Sequence, residues 1–204
     1  MILYLSIIFF AMTLISALNM FFGSEPDMWI IGAVFMSVFL EIGISGLGSL
    51  ICLKAPDAWF APNKRLFVVT KKEQRFYEKM GIKNWKDKIW ELGGLGGFRK
   101  NKIKESSNSK YLYRFIIESN KGMIGHILNI CTGFLVVFAL PAKYFWRIGI
   151  PVALVGALLN LLPILVLRYN LPKLTIAYRR ASRLESRAGF EEDEAEDEEG
   201  IQNA

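Results

Sequence analysis

Metal chemistry is poorly provided for in this chain. Its 204 residues include one histidine, His126, and two cysteines, Cys52 and Cys131. Neither cysteine stands at a metal-ligand spacing, and both fall in apolar stretches, so no metal site and no disulfide framework is expected. Charge is missing from long stretches as well. Residues 1–22 and 148–167 carry none, 29–53 carry only Glu41, and 123–142 carry only His126. Each stretch is close to the ~20 residues that cross a hydrocarbon core as a helix. With 52% hydrophobic residues and a mean hydropathy of +0.29, the chain reads as an all-α membrane protein with four transmembrane helices in two hairpins. The first stretch lacks a basic leader and a small-residue cleavage site, so it is expected to be a retained span and not a signal peptide.

The basic residues set the orientation. Of the 25 lysines and arginines, 17 lie in 54–122 against seven acids, and six follow residue 167, whereas 23–28 have none. The positive-inside bias puts 54–122 and both termini in the cytoplasm. Basic residues that flank spans suit anionic head groups, so membrane lipids are expected partners and nucleic acid is not. The tail has eight acids in nine positions from Glu191 to Glu199. It is expected to be solvated and disordered. The division that follows is one integral membrane domain over 1–187, with a cytoplasmic segment at 54–122, and an acidic tail at 188–204. Four spans with few buried charges make a thin transport pathway unless the chain forms a homo-oligomer.

The 54–122 segment is patterned. KAPDAWFAPNKRLF (54–67) interleaves Trp59, Phe60 and Phe67 with prolines and cations, which suits the head-group layer. Phe76, Tyr77 and Met80 share one helical face, and after Gly81 a second face holds Ile82, Trp85, Ile89 and Leu92. This predicts two short interfacial amphipathic helices broken at the glycine. GGLGG (93–97) and ESSNS (105–109) mark loops, and the absence of a following GK[ST] argues against a phosphate loop. Residues 110–129 predict a helix leading into the third span. Asn170 and Pro172 are expected to end the fourth.

Polar residues within spans need a partner or a task. Glu41, His126, Asn129 and Asn160 are of this kind. Helix-to-helix hydrogen bonding would account for Asn160, and for Glu41 it stands level with a functional role. His126, about one turn inside the third span, is the residue best suited to take a proton from a hydroxyl. Asn129 follows at i+3.

NLLPILVLRYNLPKL (160–174) resembles the carboxy-terminal signature of the glycosyl-4,4′-diaponeurosporenoate acyltransferase family, small bacterial membrane proteins of staphyloxanthin-type carotenoid synthesis. Pro163, Arg168, Tyr169, Asn170, Pro172, Lys173 and Leu174 fit its pattern. FYEKMGIKNWKDKIWELG (76–93) is similar to a second family stretch, and YLYRFIIESNKGMIGH (111–126) to a third, keeping the eight-residue interval from Glu118 to His126. The chain departs from the pattern at Ile89-Trp90-Glu91, Ser119 and Lys121, and at Met123, where the family has an acid.

The resemblance implies transfer of a long acyl chain, from a thioester donor such as acyl-CoA, to a sugar hydroxyl of a lipid-linked acceptor in the bacterial cell membrane. No bound cofactor is implied. His126 would be the general base and Glu118 would orient it or bind donor. Arg114, Lys121, Arg168 and Lys173 would hold donor phosphates, with Trp85, Tyr169 and Asn170 among the substrate contacts. The rival expectation, favoured by Met123 and the acidic tail, is a non-catalytic lipid-binding or assembly protein.

Overall fold

A computed structural model of the chain describes residues 2–23, 28–89 and 107–202, with side chains as far as residue 188. Its helices are α1 (Ile2–Phe22), α2 (Trp29–Lys54), α3 (Lys71–Lys79), α4 (Ile82–Trp85), α5 (Ser109–Gly133) and α6 (Ile150–Gln202). Four helical stretches are long and apolar enough to cross a membrane: Ile2–Phe22, Trp29–Lys54, Ser109–Ala139 and Ala142–Ala188. Many of their large apolar side chains face outward, among them Phe9, Phe10, Phe39 and Leu154. In water that exposure would be unfavourable, whereas lipid makes it ordinary.

The bundle is organised around α5, which packs most extensively against α6 and α2, with α1 at the edge. One core cluster gathers Met12, Ile15, Val34, Val136, Val137, Ile148 and Val152. A second holds Phe60, Phe67, Phe115, Ile116, Met123, Leu167 and Leu171. Phe60 and Phe67 are each 4% exposed, while Trp59 is 68% exposed. Only the tryptophan therefore points outward, as the head-group expectation required of all three.

Turn chemistry sets the short elements. Ala55, before Pro56, is extended, as steric clash with the proline ring demands, and α2 ends there. Thr70 caps α3, its side chain accepting from the Glu73 N–H at 3.2 Å. Gly81 separates α3 from α4 at φ 64°, a left-handed conformation that favours glycine. The expected break between two amphipathic pieces is thus at this residue. GGLGG lies outside the described residues. The third span is not uniform α-helix: after Gly133 it tightens to a 3₁₀ stretch, Phe134–Ala139, and a π-type turn at Phe145–Gly149 leads into α6.

The expected end of the fourth span at Asn170 and Pro172 is not found. α6 runs through both Pro163 and Pro172. Leu167, Leu171 and Leu174 are buried in the second core cluster on either side of the ring, so packing outweighs the lost backbone bond. At Pro163 the freed carbonyl is Leu159's, and the Tyr4 hydroxyl of α1 donates to it at 3.3 Å.

Glycines let three helices meet at Glu41 of α2, which is 7% exposed. A Cβ at Gly133 of α5 would lie 2.8 Å from Glu41 Oε1, and one at Gly156 of α6 would fall on the same carboxylate. Gly156→Ala is therefore expected to lower stability by about 1–3 kcal/mol through overpacking. Gly122→Ala, whose methyl would meet Leu167 Cδ1 at an ordinary 3.6 Å, should be tolerated. Thermal unfolding of both variants in detergent checks the contrast.

Candidate active site

Among the described residues, three groups of polar side chains on and beside α5 hold most of the candidate residues. The first surrounds His126. Its Nδ1 is 2.9 Å from Asn160 Oδ1 on α6. Asn160 Nδ2 donates to the Gly156 carbonyl at 2.9 Å, one of the two contacts that orient that amide. Asn129 Nδ2 donates to Asn160 Oδ1 at 3.3 Å and to Ser49 Oγ on α2 at 2.9 Å. Since Asn160 Oδ1 can only accept, His126 Nδ1 carries the hydrogen. In the neutral ring the basic lone pair is then on Nε2.

The second group lies toward the start of α5. Arg114 bonds Asp57 at 2.5 Å and Glu118 at 2.7 Å, and Lys121 bonds Asp57 at 2.6 Å. Lys121 is buried, and Asn120, also buried, donates to the Phe60 carbonyl at 2.8 Å. These contacts pin residues 57–60 to α5. The hydrogen bond from Lys121 is the main cause that holds the Asp57 carboxyl below the usual carboxylate range. Arg114 also lines an open cleft of about 420 Å³ with Lys110, Tyr113 and Tyr178.

The third group is built on Arg168. Its Nε and Nη2 bond the two oxygens of Glu73 at 2.5 and 2.8 Å, and Nη1 donates to the Leu66 carbonyl at 2.7 Å. The Tyr77 hydroxyl donates to the same carboxylate. Met123 Sδ lies 3.9 Å from Nη1. Met123, where the resemblance leads one to expect an acid, thus lies beside Arg168, whose carboxylate partner is Glu73 of α3.

Arg168 is the main cause holding the Glu73 carboxyl below its ordinary range, aided by Tyr77 and opposed by burial. Burial first, and then Glu73, pushes the Tyr77 phenol up to about 12. A depressed carboxyl stabilises the fold fully above its unfolded value of about 4.3 and loses that contribution as pH falls toward the folded value. Thermal stability is therefore expected to be level above about pH 5 and to fall below it. Glu73→Gln should lower the plateau and flatten part of the acid limb, the remainder belonging to Asp57 and Glu185, whose carboxyls are also held low. Melting temperatures between about pH 3 and 7 check this.

Of the remaining candidates, Lys173 donates to the Tyr169 hydroxyl at 3.4 Å and stands 4.7 Å from that ring's centroid. Trp85 Nε1 donates to the Met80 carbonyl at 3.2 Å, with Ile82, Val166 and Tyr169 nearby. Asn170 is half-buried inside α6 and does not cap it. The structure thus joins Arg114, Glu118 and Lys121 in one group and sets Arg168 in another, while His126 sits with Asn160. Among the described residues no three His, Cys, Asp or Glu side chains converge as metal ligands would.

Residues 56–180 match the family model for glycosyl-4,4′-diaponeurosporenoate acyltransferase. The chain belongs to this family. No curated protein and no solved structure matches it. The family is one of acyltransferases in carotenoid synthesis, so acyl transfer is the coarse activity that its membership carries. His126, Asn129 and Asn160 all lie within the matched residues, as do the Arg168 and Arg114 groups. Ser49 and Glu41 on α2 do not. Ser49 and Glu73 were not singled out from the sequence. The four-residue spacing of Ser37, Glu41, Ser45 and Ser49 was the available signal for the first, and Thr70-x-x-Glu73, a capping box, for the second.

Proposed function

We propose that the protein moves a long acyl chain from a thioester donor such as acyl-CoA onto a hydroxyl of a glycosylated lipid or carotenoid-type acceptor, at the cytoplasmic face of the membrane. The observation that carries this reading is the 2.9 Å contact between His126 Nδ1 and Asn160 Oδ1, which gives the histidine a basic Nε2 inside an apolar bundle. Family membership supports the reaction class, and the basic 54–122 segment supports the cytoplasmic side.

In this mechanism Nε2 removes the acceptor's hydroxyl proton as the oxygen attacks the thioester carbonyl. The C–O bond forms, the C–S bond breaks, and the imidazolium returns its proton to the departing thiolate. The products are an ester and a free thiol. Asn160 holds the ring in the required tautomer, where Glu118 was expected to orient it or to bind donor. Glu118 instead pairs with Arg114, and eight residues separate it from His126, about 12 Å along the helix.

Donor phosphates would meet the cleft at Lys110 and Arg114. Both lie toward the helix start, Arg114 about 18 Å and Lys110 about 24 Å from His126 at 1.5 Å per residue, and the pantetheine arm of an acyl-CoA would bridge the interval from Arg114. The exposed apolar faces would accept the acyl chain and the lipid acceptor. Arg168, closed by Glu73, holds the 66–79 segment against α6 in this reading.

A second reading, a non-catalytic lipid-binding protein, is favoured by one observation: Arg114, Lys121 and Arg168 are each already paired with an acid. Purified protein in nanodiscs, given acyl-CoA and a membrane glycolipid fraction, separates the two. Stoichiometric release of free thiol and a new ester supports transfer, and binding of lipid without thiol release supports the rival.

A further inference from the structure

Three helices meet at His126, and one of them lies outside the residues that match the family. α2 presents Ser37, Glu41, Ser45 and Ser49 at intervals of four, hence along one face. The first three are buried and Ser49 is half-buried. We propose that Ser49 is a positioning residue for His126, acting through Asn129 and Asn160, so that α2 completes the active site.

The hydrogen-bond directions leave one consistent pattern. Asn129 Nδ2 has two hydrogens, one directed to Asn160 Oδ1 at 3.3 Å and the other to Ser49 Oγ at 2.9 Å. The Ser49 hydroxyl in turn donates to Asn129 Oδ1 at 3.2 Å. Serine and amide thus grip one another edge to edge. A flipped Asn129 amide would set its oxygen against Asn160 Oδ1, two acceptors face to face. With Ser49 in place, Asn160 Oδ1 receives both Asn129 Nδ2 and His126 Nδ1, and it stays an acceptor toward the ring. Without the serine, Asn129 loses the contact that orients it.

α2 is held in register for this task. Ser45 donates to Glu41 Oε1 at 3.0 Å, the Glu41 carboxylate fills the space left by Gly133 and Gly156, and a Cβ at Gly125 would touch Ser49 Oγ at 3.6 Å. Ser49 therefore sits directly against the helix turn that carries His126. The catalytic consequence rests on the acyltransferase reading above; the effect on the histidine tautomer does not.

His126 is the sole histidine, so protein labelled with ¹⁵N-histidine gives the signals of one imidazole. Spectra of the full chain in nanodiscs would be recorded for wild type, Ser49→Ala, Ser49→Thr and Asn129→Leu, with kcat and KM for each. The wild type is expected to be mainly the Nδ1–H tautomer. Ser49→Ala and Asn129→Leu should shift the signals toward the Nε2–H form favoured in solution, and Ser49→Thr, which keeps the hydroxyl, should restore them. Ser49→Ala should also lower kcat about fivefold, the loss of one neutral hydrogen bond's net contribution, with KM unchanged. A Ser49→Ala spectrum identical to wild type overturns the proposal, whether or not kcat falls. A tautomer shift with no acyl transfer by any form, wild type included, upholds the Ser49 connection and removes the transferase reading.

Discussion

Replacing His126 by alanine is expected to reduce acyl transfer by about 10²–10⁴-fold, the range that general-base catalysis contributes. Several features make this loss specific. His126 is the chain's one histidine, so no second imidazole stands ready to replace it. Its ring is half-buried, and the shortening leaves Asn160 still bonded to the Gly156 carbonyl and to Asn129. Membrane insertion and thermal stability should therefore stay near wild type. Asn160→Leu is expected to retain more activity than His126→Ala, because the base remains and only its tautomer and orientation are released. Initial rates beside melting temperatures check both. A His126→Ala protein that folds and transfers at the wild-type rate would remove the histidine from the mechanism.

Arg168→Ala is expected to destabilise the protein by about 3 kcal/mol, the lower part of the range for stranding one member of a buried ion pair. The side chains of Arg168 and Glu73 are 16% and 24% exposed. The guanidinium also holds the Leu66 carbonyl, so its loss frees the segment that carries α3 from α6. Arg168→Lys should recover little, since an ammonium cannot engage both Glu73 oxygens and the carbonyl in one plane. The double variant Arg168→Ala, Glu73→Ala should cost less than the sum of the single ones, because neither charge is then left alone. Thermal unfolding gives the energies, and limited trypsin digestion at Lys71, Lys72 and Arg75 reads the release of the segment.

The membrane character of the fold was legible because charge is absent over lengths that match a bilayer. The Gly81 break was legible because only a glycine relieves a left-handed turn between two amphipathic faces. Pro172 misled for an identifiable reason. Its cost is local, while the burial of Leu167, Leu171 and Leu174 against α5 and the 60–67 segment is tertiary and invisible to a window of neighbours. The aromatic residues of 54–67 show the same limit: composition placed Trp59, Phe60 and Phe67 together, and only the packing of α5 and α6 separates an outward tryptophan from two inward phenylalanines.

At the candidate site the sequence pointed to His126, and the structure gives it a different neighbour from the one expected. Glu118 was expected to orient the ring or to bind donor, and it pairs with Arg114 one turn away. Asn160, expected to serve as a helix-to-helix bond, makes that bond from α6 to the ring on α5. Partners that come from other helices, such as Asn160 for His126, Glu73 for Arg168 and Asp57 for Lys121, leave no spacing to read. Met123, where the resemblance leads one to expect an acid, lies beside Arg168, and that arginine's carboxylate comes from Glu73 of α3.

The most direct test is mass spectrometry of membrane lipids from a deletion strain of the native organism, complemented with either the wild-type chain or His126→Ala. Acyl transfer by His126 requires a glycosylated lipid heavier by one fatty-acyl unit in the wild-type complement, missing from the deletion strain and from the His126→Ala complement. Identical lipid profiles in all three strains would contradict it, and so would the heavier species in equal amount with His126→Ala.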